Sequence, residues 1–361
     1  MKKRIFWLLI LLAFSLYGQA SPGCVFLTIY PGAREVGLAG AFSSVADNAF
    51  ATYYNPAGLA FQKSVDFVYH KVDPWLGPLT WGLGDMHYLY SAITFPILKK
   101  FNFGLFYDYL NTGETEVWDE KGRLIGKYTP YDYALGISIG YRILNNLAIG
   151  GNVKYIYSLL VPDWVWDYFP ESGIEKGGTG KTLAFDFGIL YKNKINDFLE
   201  INNALGLKNL GPKIGYIPNA EKDPLPYEIR IGNSLKFKFL SFLKLDENNW
   251  LIDWFKNKCY LLLAYDLRED LYFEGKPWHS LGWEFSFGPS FFNTGYFKDK
   301  NGFRVGTTWA IGFDFKFLRI EWGTDSNIYE FNPKRKIFDW DSYKENPRFT
   351  ISLNLGTPFI K

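Results

Sequence analysis

Few residues of this chain have the types and spacing of a chemical site. The segment Gly177-Gly178-Thr179-Gly180-Lys181-Thr182 has the composition of a phosphate-binding loop, in which backbone N–H groups and a lysine surround a phosphate. Such a loop needs another glycine where Glu175 stands, and a helix must follow its threonine. A strand pattern follows here instead. We therefore reject nucleotide binding at this segment.

The remaining candidates are histidines and acidic residues, whose positions argue against metal binding and catalysis. The histidines are His70, His87 and His279, scattered without metal-ligand spacing. Asp266, Glu269 and Asp270 lie at a predicted loop mouth, where a solvated rim explains them better than acid–base catalysis. No Ser/His/Asp or Cys/His grouping has support in the local sequence. The sequence therefore predicts no enzyme, no metal site and no cofactor.

Runs of alternating residues are the elements that must position any site. Between Tyr131 and Ile143 every odd position is Tyr, Leu or Ile, and every even position is Asp, Ala, Gly, Ser or Arg. The same alternation occurs in runs that begin near Phe101, Leu183, Tyr227 and Phe349. Each run predicts a strand with one apolar face and one polar or small face. A charged side chain that faces lipid is energetically costly, so the face that carries charges must point into the interior of the barrel. Four charged residues identify this inward face: Arg142, Asp186, Arg230 and Lys236.

The composition is typical of a β-barrel that spans a membrane. Aromatic residues make up 20% of the chain and Gly numbers 35, yet the mean hydropathy is near neutral at −0.11. A barrel strand alternates apolar lipid-facing residues with polar interior ones, so the average hides the membrane signal. The formal net charge of +2 gives no support for nucleic acid as a partner. We expect a monomeric barrel surrounded by outer-membrane lipid.

Counting these runs predicts an all-β fold, a transmembrane antiparallel β-barrel of about 14 strands. The predicted strands begin near Val65, His87, Phe101, Tyr131, Leu147, Leu183, Glu200, Tyr227, Tyr260, Leu281, Phe291, Phe303, Leu318 and Phe349. Their connections alternate between short periplasmic turns and long extracellular loops, as such barrels require. Residues 239–258, with Trp250, Leu251, Trp254 and Phe255, are long where a short turn is expected. This connection is an interfacial helix, a partner site or the sign of a miscounted strand.

Residues 1–20 have the pattern of a secretory signal peptide. Three basic residues precede an apolar run from Ile5 to Tyr17, and Gly18-Gln19-Ala20 supplies the small residues that signal peptidase reads. The apolar run is too short to span a membrane as a helix. We expect the mature chain to begin near Ser21, with residues 21–64 as an N-terminal plug and residues 65–361 as a barrel in the cell outer membrane.

The two cysteines do not make a disulfide framework. Cys24 and Cys259 could in principle bridge in the periplasm, but two cysteines alone specify little. A lipoprotein anchored through Cys24 is disfavoured, because Ser21-Pro22-Gly23 lacks the leucine expected three residues before such a cysteine.

Residues 31–60 are the stretch around which we expect the chain to be organised. Their many glycines and alanines would let the backbone pack close to a surrounding wall, as a plug must. Asp47 or Asn48 is a candidate cap for a short helix, which Asn55 before Pro56 should end in a rigid turn. A Gly/Ala-rich loop ahead of a β-domain is the alternative. The candidate plug residues are Gly32, Arg34, Gly37, Gly40, Asp47, Asn55, Pro56 and Gly58.

Four parts of this stretch resemble the N-terminal signature of the PorV/PorQ family, within the FadL-like group of outer-membrane barrels. They are Gly32-Ala33-Arg34, Gly37-Leu38-Ala39-Gly40-Ala41-Phe42, Ala46-Asp47-Asn48 and Tyr54-Asn55-Pro56-Ala57-Gly58-Leu59. The resemblance implies a barrel of the strand number counted above, with this segment in its lumen. It also implies uptake of hydrophobic molecules or service in type IX protein secretion. Glu35 and Leu38 depart from the signature without choosing between these roles.

The loop after the fifth predicted strand carries an apolar patch, formed by Trp164, Trp166, Tyr168 and Phe169. Exposed apolar clusters often mark a ligand or partner site, and self-packing of the loop over the barrel mouth is the alternative. One candidate function is passive transport of hydrophobic compounds, with this patch as the capture surface. The other is a PorV-like accessory role in type IX secretion, in which the barrel binds exported proteins. A purely structural role of the barrel is the third alternative.

Overall fold

A computed structural model describes residues 22–72, 86–242, 250–270, 277–299, 305–315, 317–325 and 347–356. The predicted signal peptide lies outside them. The strands in these ranges are β1 (Asp66–Val72), β2 (His87–Leu98), β3 (Phe101–Asn111), β4 (Thr115–Trp118), β5 (Leu124–Tyr128), β6 (Tyr131–Leu144), β7 (Leu147–Leu159), β8 (Thr179–Lys194), β9 (Leu199–Leu210), β10 (Glu228–Phe237), β11 (Tyr260–Asp270), β12 (Trp278–Phe287), β13 (Ser290–Asp299), β14 (Val305–Asp314), β15 (Leu318–Asp325) and β16 (Pro347–Asn354). The helical turns are Val25–Thr28, Ala33–Gly37, Ala51–Tyr54, Pro56–Phe61, Asp163–Tyr168, Pro170–Ser172 and Trp250–Asn257. None of these described helices is both long and apolar enough to cross a membrane.

All strands except β4 and β5 form one closed antiparallel barrel, which confirms the predicted fold class. Each strand pairs with its sequence neighbours, β3 pairs with β6, and β1 closes the ring by pairing with β16. The predicted strand starts agree closely with the observed ones. The largest difference is at β8, which begins at Thr179 rather than Leu183 because the strand extends into the glycine-rich segment.

The two ends of the barrel differ in the length of their connections. Residues 99–100, 145–146, 195–198 and 288–289 are brief and define what we call the short-turn end. Residues 112–130, 160–178 and 211–227 are long and define the loop end, where β4 and β5 form a separate hairpin. The long connection at residues 238–259 contains the helix Trp250–Asn257, while β10 pairs directly with β11. A miscounted strand is therefore ruled out there.

The alternation of the strands separates an apolar outer surface from a polar interior. On β12, Leu281, Trp283 and Phe285 are exposed on the outside, whereas Ser280 and Glu284 are buried on the inside. The four charged residues expected in the interior follow the same rule. Arg142 donates to the carbonyl of Ala60, Asp186 and Arg230 are buried among interior groups, and the Lys236 ammonium lies over the Tyr260 ring.

Residues 22–62 run inside the barrel from one end to the other. At the loop end, the Gly23 N–H donates to the Pro224 carbonyl in the connection between β9 and β10. At the short-turn end, the Val65 N–H donates to the Gly356 carbonyl beside β16. The side chains between these points are almost all buried, so the main apolar core lies between this N-terminal segment and the inner wall.

Candidate functional site

Arg34 is the centre of a buried ionic cluster that joins the N-terminal segment to the wall. Its Nε donates to Glu284 Oε2 at 2.7 Å and its Nη2 to Glu284 Oε1 at 2.9 Å, a bidentate pair. Its Nη1 donates to Asp47 Oδ1 at 2.7 Å. The Tyr260 hydroxyl donates to the same Glu284 at 2.7 Å. The guanidinium is only 1% exposed, so its charge is balanced by partners on β12 and within the segment.

Two acidic residues of the segment have opposite electrostatic environments. Burial and the neighbouring Glu321 raise the pKa of Glu35 well above its usual range. Its Oε1 accepts from Asn48 Nδ2 at 2.7 Å, whereas Oε2 has no hydrogen-bond partner among the described residues. The Asp47 side chain is 32% exposed, and the Arg34 guanidinium beside it lowers the pKa of its carboxyl. The ionic partner of Arg34 within the segment is therefore Asp47 and not Glu35.

The cap predicted at Asp47 or Asn48 is only partly correct. Asp47 binds Arg34 instead of a backbone N–H group. Asn48 Oδ1 accepts from the Phe50 N–H at 2.9 Å, which shapes the turn before the helix Ala51–Tyr54, and the helix itself has no side-chain cap. Local spacing could not show that a distant guanidinium competes for the aspartate.

Asn55 and Pro56 form the turn that the sequence predicts, and they rest on a row of wall glycines. Asn55 Oδ1 accepts from the Ala57 N–H at 3.1 Å, and its Nδ2 donates to the carbonyls of Ser43 at 3.0 Å and Ile189 at 3.1 Å. The facing row consists of Gly140, Gly150 and Gly188, paired across β6, β7 and β8. A Cβ at Gly150 would lie 2.3 Å from the Ala57 nitrogen, so only glycine permits this approach.

Glycine is required at four positions of the segment for two distinct reasons. Gly32 and Gly40 have φ of 90° and 78°, a conformation that other residues adopt only with strain. Gly37 and Gly58 are instead required by space. A Cβ at Gly37 would lie 2.7 Å from the Ala310 side chain on β14, and one at Gly58 would lie 2.3 Å from the Ala46 carbonyl.

We predict that Gly150→Ala loosens this contact and that Gly206→Ala does not. Gly206 of β9 pairs with Gly188 and so continues the same row, but the nearest atom to a Cβ at Gly206 is 3.8 Å away. The first change should cost the docked segment about 1 to 3 kcal/mol through overpacking. Hydrogen exchange of the amides in Pro56–Phe61 should accelerate in the first variant only. Equal exchange in both variants would contradict the close packing described here.

The other sequence candidates do not meet in one place. Asp266 was expected at a solvated rim, which is wrong: it is 2% exposed in the lumen and accepts from the Ser43 N–H at 3.1 Å. His70 is buried against Thr350, whereas His279 bonds Tyr265 on the outer surface. The described residues contain no group of three or more His, Cys, Asp or Glu side chains that could hold a metal ion.

The cysteines are free and lie at opposite ends of the barrel. Cys24 contacts the Tyr216 hydroxyl in a loop-end connection, while Cys259 precedes β11 at the short-turn end and accepts from the Gly288 N–H. Burial raises the pKa of the Cys24 thiol to about 12, which keeps it protonated and unreactive. The disulfide considered from the sequence does not form.

The apolar loop patch packs largely against neighbouring loops. The Trp164 ring contacts Tyr128 of the β4–β5 hairpin at 6.2 Å between centroids, and Tyr168 at 6.3 Å. Trp166 Nε1 donates to the Gly177 carbonyl at 3.0 Å. Phe169 is half-buried, whereas Tyr168 is 56% exposed. The patch is thus a surface built on internally packed loops.

A cavity of about 620 Å³ with polar and apolar lining residues opens at the short-turn end. Asp47 and Asp66 line one side, and Trp254 of the helix Trp250–Asn257 lines another. Phe255 of the same helix packs edge-on against Phe287, with ring centroids 5.3 Å apart. The unusual connection therefore borders the mouth of the lumen next to the N-terminal segment.

Sequence reasoning missed the wall partners of the segment. Glu284, Tyr260 and Thr308 all bond the segment or its immediate partners, and Thr308 Oγ1 donates to the Gly37 carbonyl at 2.8 Å. The glycines at inward positions of β6 to β8 were the available signal, because an interior glycine row marks a place where something approaches closely.

Three solved structures resemble this chain at low sequence identity. The toluene transporter TodX of Pseudomonas putida is 12% identical and is matched over 86% of this chain and 95% of its own, with a TM-score of 0.46. The CymD monoaromatic hydrocarbon channel is 9% identical over 93% of this chain and 99% of its own, with a TM-score of 0.48. A FadL homologue of Pseudomonas aeruginosa is 11% identical over 89% and 97%, with a TM-score of 0.43. No protein-family profile and no curated protein matches the sequence. At these values the likeness carries no argument about what this chain binds.

Proposed function

We propose that this protein is a monomeric barrel of the outer membrane that passively transports hydrophobic compounds. The loop end then faces the outside and the short-turn end faces the periplasm, as in barrels with long external loops. The N-terminal segment acts as a plug whose displacement opens the path. Membership of the PorV/PorQ family stays a prediction from the N-terminal signature.

The observation that carries this proposal is an apolar and aromatic patch on one side of the inner wall. Tyr88, Tyr90, Phe106 and Leu110 of β2 and β3 face the lumen and are buried, while the polar residues Thr94, Asn102 and Asp108 share these inward faces. The interior of a water-filled channel is polar instead. An apolar solute would gain from contact with this wall, whereas an ion would not.

The segment faces this wall with apolar side chains of its own. The Phe50 ring lies 5.8 Å from Tyr90, and the Tyr53 ring lies 5.9 Å from Tyr90, in each case between centroids. These ring contacts are apolar, and a hydrophobic solute can offer similar contacts in their place. The same wall also holds the segment through hydrogen bonds, including one of 2.8 Å between the Thr52 and Tyr90 hydroxyls, which the solute would have to break.

The opposite wall holds the segment through charges. Arg230 and Glu284 on β10 and β12 contact Gly40 and Arg34 of the segment, and Asp266 on β11 contacts Ser43. Hydrogen-bonded charges are directional and specific to one arrangement. We therefore place the solute path along β1 to β3. In this proposal the plug moves away from these strands while its ionic contacts with β10 to β12 stay in place.

Capture of the compound at the loop patch is tested by the pair Trp164→Ser and Tyr168→Ser. These rings contact each other and offer apolar area at the loop end, worth about 25 cal/mol per Å² to a bound hydrocarbon. Trp166 is retained, because its indole N–H holds the loop to Gly177. We expect slower uptake of radiolabelled oleate or toluene into proteoliposomes. Trp118→Ser, at a 50% exposed tryptophan of the β4–β5 hairpin, is the matched control.

Uptake that is equal with and without the protein would overturn the transport proposal. A deletion strain that leaves exported proteins unprocessed in the periplasm, with normal uptake, would point to the type IX secretion role instead. Finding the intact protein soluble in the periplasm would contradict the membrane location.

A further inference from the structure

The glycine-rich segment that cannot bind a nucleotide lines a cavity of about 740 Å³ at the loop end. Gly177, Thr179 and Lys181 form one side, where β8 begins. Lys222, in the connection between β9 and β10, and Lys176, in the connection before β8, also line it. Three lysines from two loop connections and the start of β8 thus line one opening.

The ammonium groups of these three lysines are available to bind an anion. None of the three forms an ion pair or a side-chain hydrogen bond within the described ranges of the chain. The lining includes one carboxylate, Asp163, whose Oδ1 already accepts from the Gly177 N–H at 3.1 Å. Three positive charges therefore face one negative charge, and the cavity is suited to an anion.

The position of the cavity relative to the membrane identifies the kind of anion. Lys181 lies at an outward position of β8, and its Nζ is 5.5 Å from the centre of the Tyr157 ring on β7. Tyr157 belongs to a band of stacked tyrosines on the outer surface, which continues through Tyr133 at 5.1 Å and Tyr131 at 5.7 Å. Aromatic bands of this kind mark the membrane interface. The cavity therefore begins at the level of the lipid headgroups.

We propose that this cavity binds the phosphate group of a phosphorylated saccharolipid in the outer leaflet. Phosphate carries more than one negative charge near neutral pH and accepts hydrogen bonds from several donors at once, which matches converging ammonium groups. The adjoining tyrosines offer flat faces and hydroxyls to the sugar rings beside that phosphate. The inference rests on the proposed outward direction of the loop end, but not on transport.

The test compares purified protein in detergent with three probes: bisphosphorylated lipid A, the same lipid after enzymatic removal of its phosphates, and inorganic phosphate. We expect lipid A to bind, the dephosphorylated lipid to bind at least about tenfold more weakly, and inorganic phosphate to compete only at millimolar levels, about the scale of a weak contact. Native mass spectrometry reports each complex directly.

The variant Lys176→Gln/Lys181→Gln/Lys222→Gln should lose about tenfold in lipid A affinity, since three partly exposed charge contacts disappear. The control Lys63→Gln/Lys99→Gln/Lys100→Gln removes equal charge at the short-turn end and should bind as the parent does. Heat-modifiable gel migration shows that each variant is folded, and Lys222→Gln alone provides a minimal change in an exposed loop. Equal binding of both lipids, unchanged affinity in the triple variant, or competition by micromolar phosphate would overturn the proposal.

Discussion

A barrel that lacks residues 31–52 is expected to conduct ions, whereas the intact protein should be nearly silent. In the intact protein these residues fill the space between the aromatic and the ionic walls, and almost all of them are buried. Their removal leaves Glu284 and Asp266 without their partners on the segment. Water that enters the lumen would solvate these carboxylates, so the open state carries no large desolvation penalty.

The wall itself should still assemble in this deletion. Each barrel strand makes its hydrogen bonds to neighbouring strands, as any membrane barrel must. The seam between β1 and β16 pairs Asp66 with Asn354 and Val72 with Arg348, and none of these residues is removed. Heat-modifiable migration in detergent gels should therefore persist.

Conductance in planar lipid bilayers is the measurement for the deletion. The control deletes residues 115–128, the β4–β5 hairpin, which pairs only with itself and lies outside the barrel wall. This control should assemble and stay silent. A 31–52 deletion that assembles but conducts no more than the parent would show that the segment is not a plug.

The second large effect is expected for Arg34→Met. This change leaves Glu284 buried without its bidentate partner, and removing one member of such a pair costs about 3 to 5 kcal/mol. This loss of free energy should weaken the docking of the N-terminal segment to the wall and leave the pairing of the strands unchanged. Hydrogen exchange at the amides of Ala33–Gly37 should accelerate accordingly, while exchange in the strands stays slow.

A second change should rescue part of that loss. Arg34→Met combined with Glu284→Gln removes the uncompensated negative charge, so exchange should slow again. Arg123→Met is the matched control, since its pair with Asp119 is on the surface and its side chain is 73% exposed. If the amides of Ala33–Gly37 exchange at the same rate in Arg34→Met and in Arg123→Met, the ionic cluster does not hold the segment.

The sequence predicts the barrel well because the signal is local. Inward and outward residues alternate with period two, so each strand reports its own faces, and glycine and polar clusters mark the connections. Strand number, order and the inward charges such as Arg142 follow from that pattern. The long connection at residues 238–259 was also visible, although its helix was only one of three explanations.

The partners inside the lumen could not be predicted, because they are far apart in sequence. Arg34 and Glu284 are separated by 250 positions, and only closure of the ring brings them together. Asp266 shows the same limit: alternation places it inward, but its neighbours in sequence suggested a rim. The depth of a residue along the barrel depends on the stagger of the strands, which a single run does not reveal.

The seam between β1 and β16 has a consequence for how the protein is made. The N-terminal segment is joined to β1 and bonds a connection at the loop end through Gly23. Between these points it forms hydrogen bonds to β10, β11, β12, β13, β14 and β15. Once the ring is closed, such a segment would have to be threaded past the loops and the wall glycines. The geometry favours an order in which the wall curls around the segment and the first and last strands meet at the end. In that order, we expect the segment to be in place before β1 and β16 pair, so that it shapes the wall during assembly.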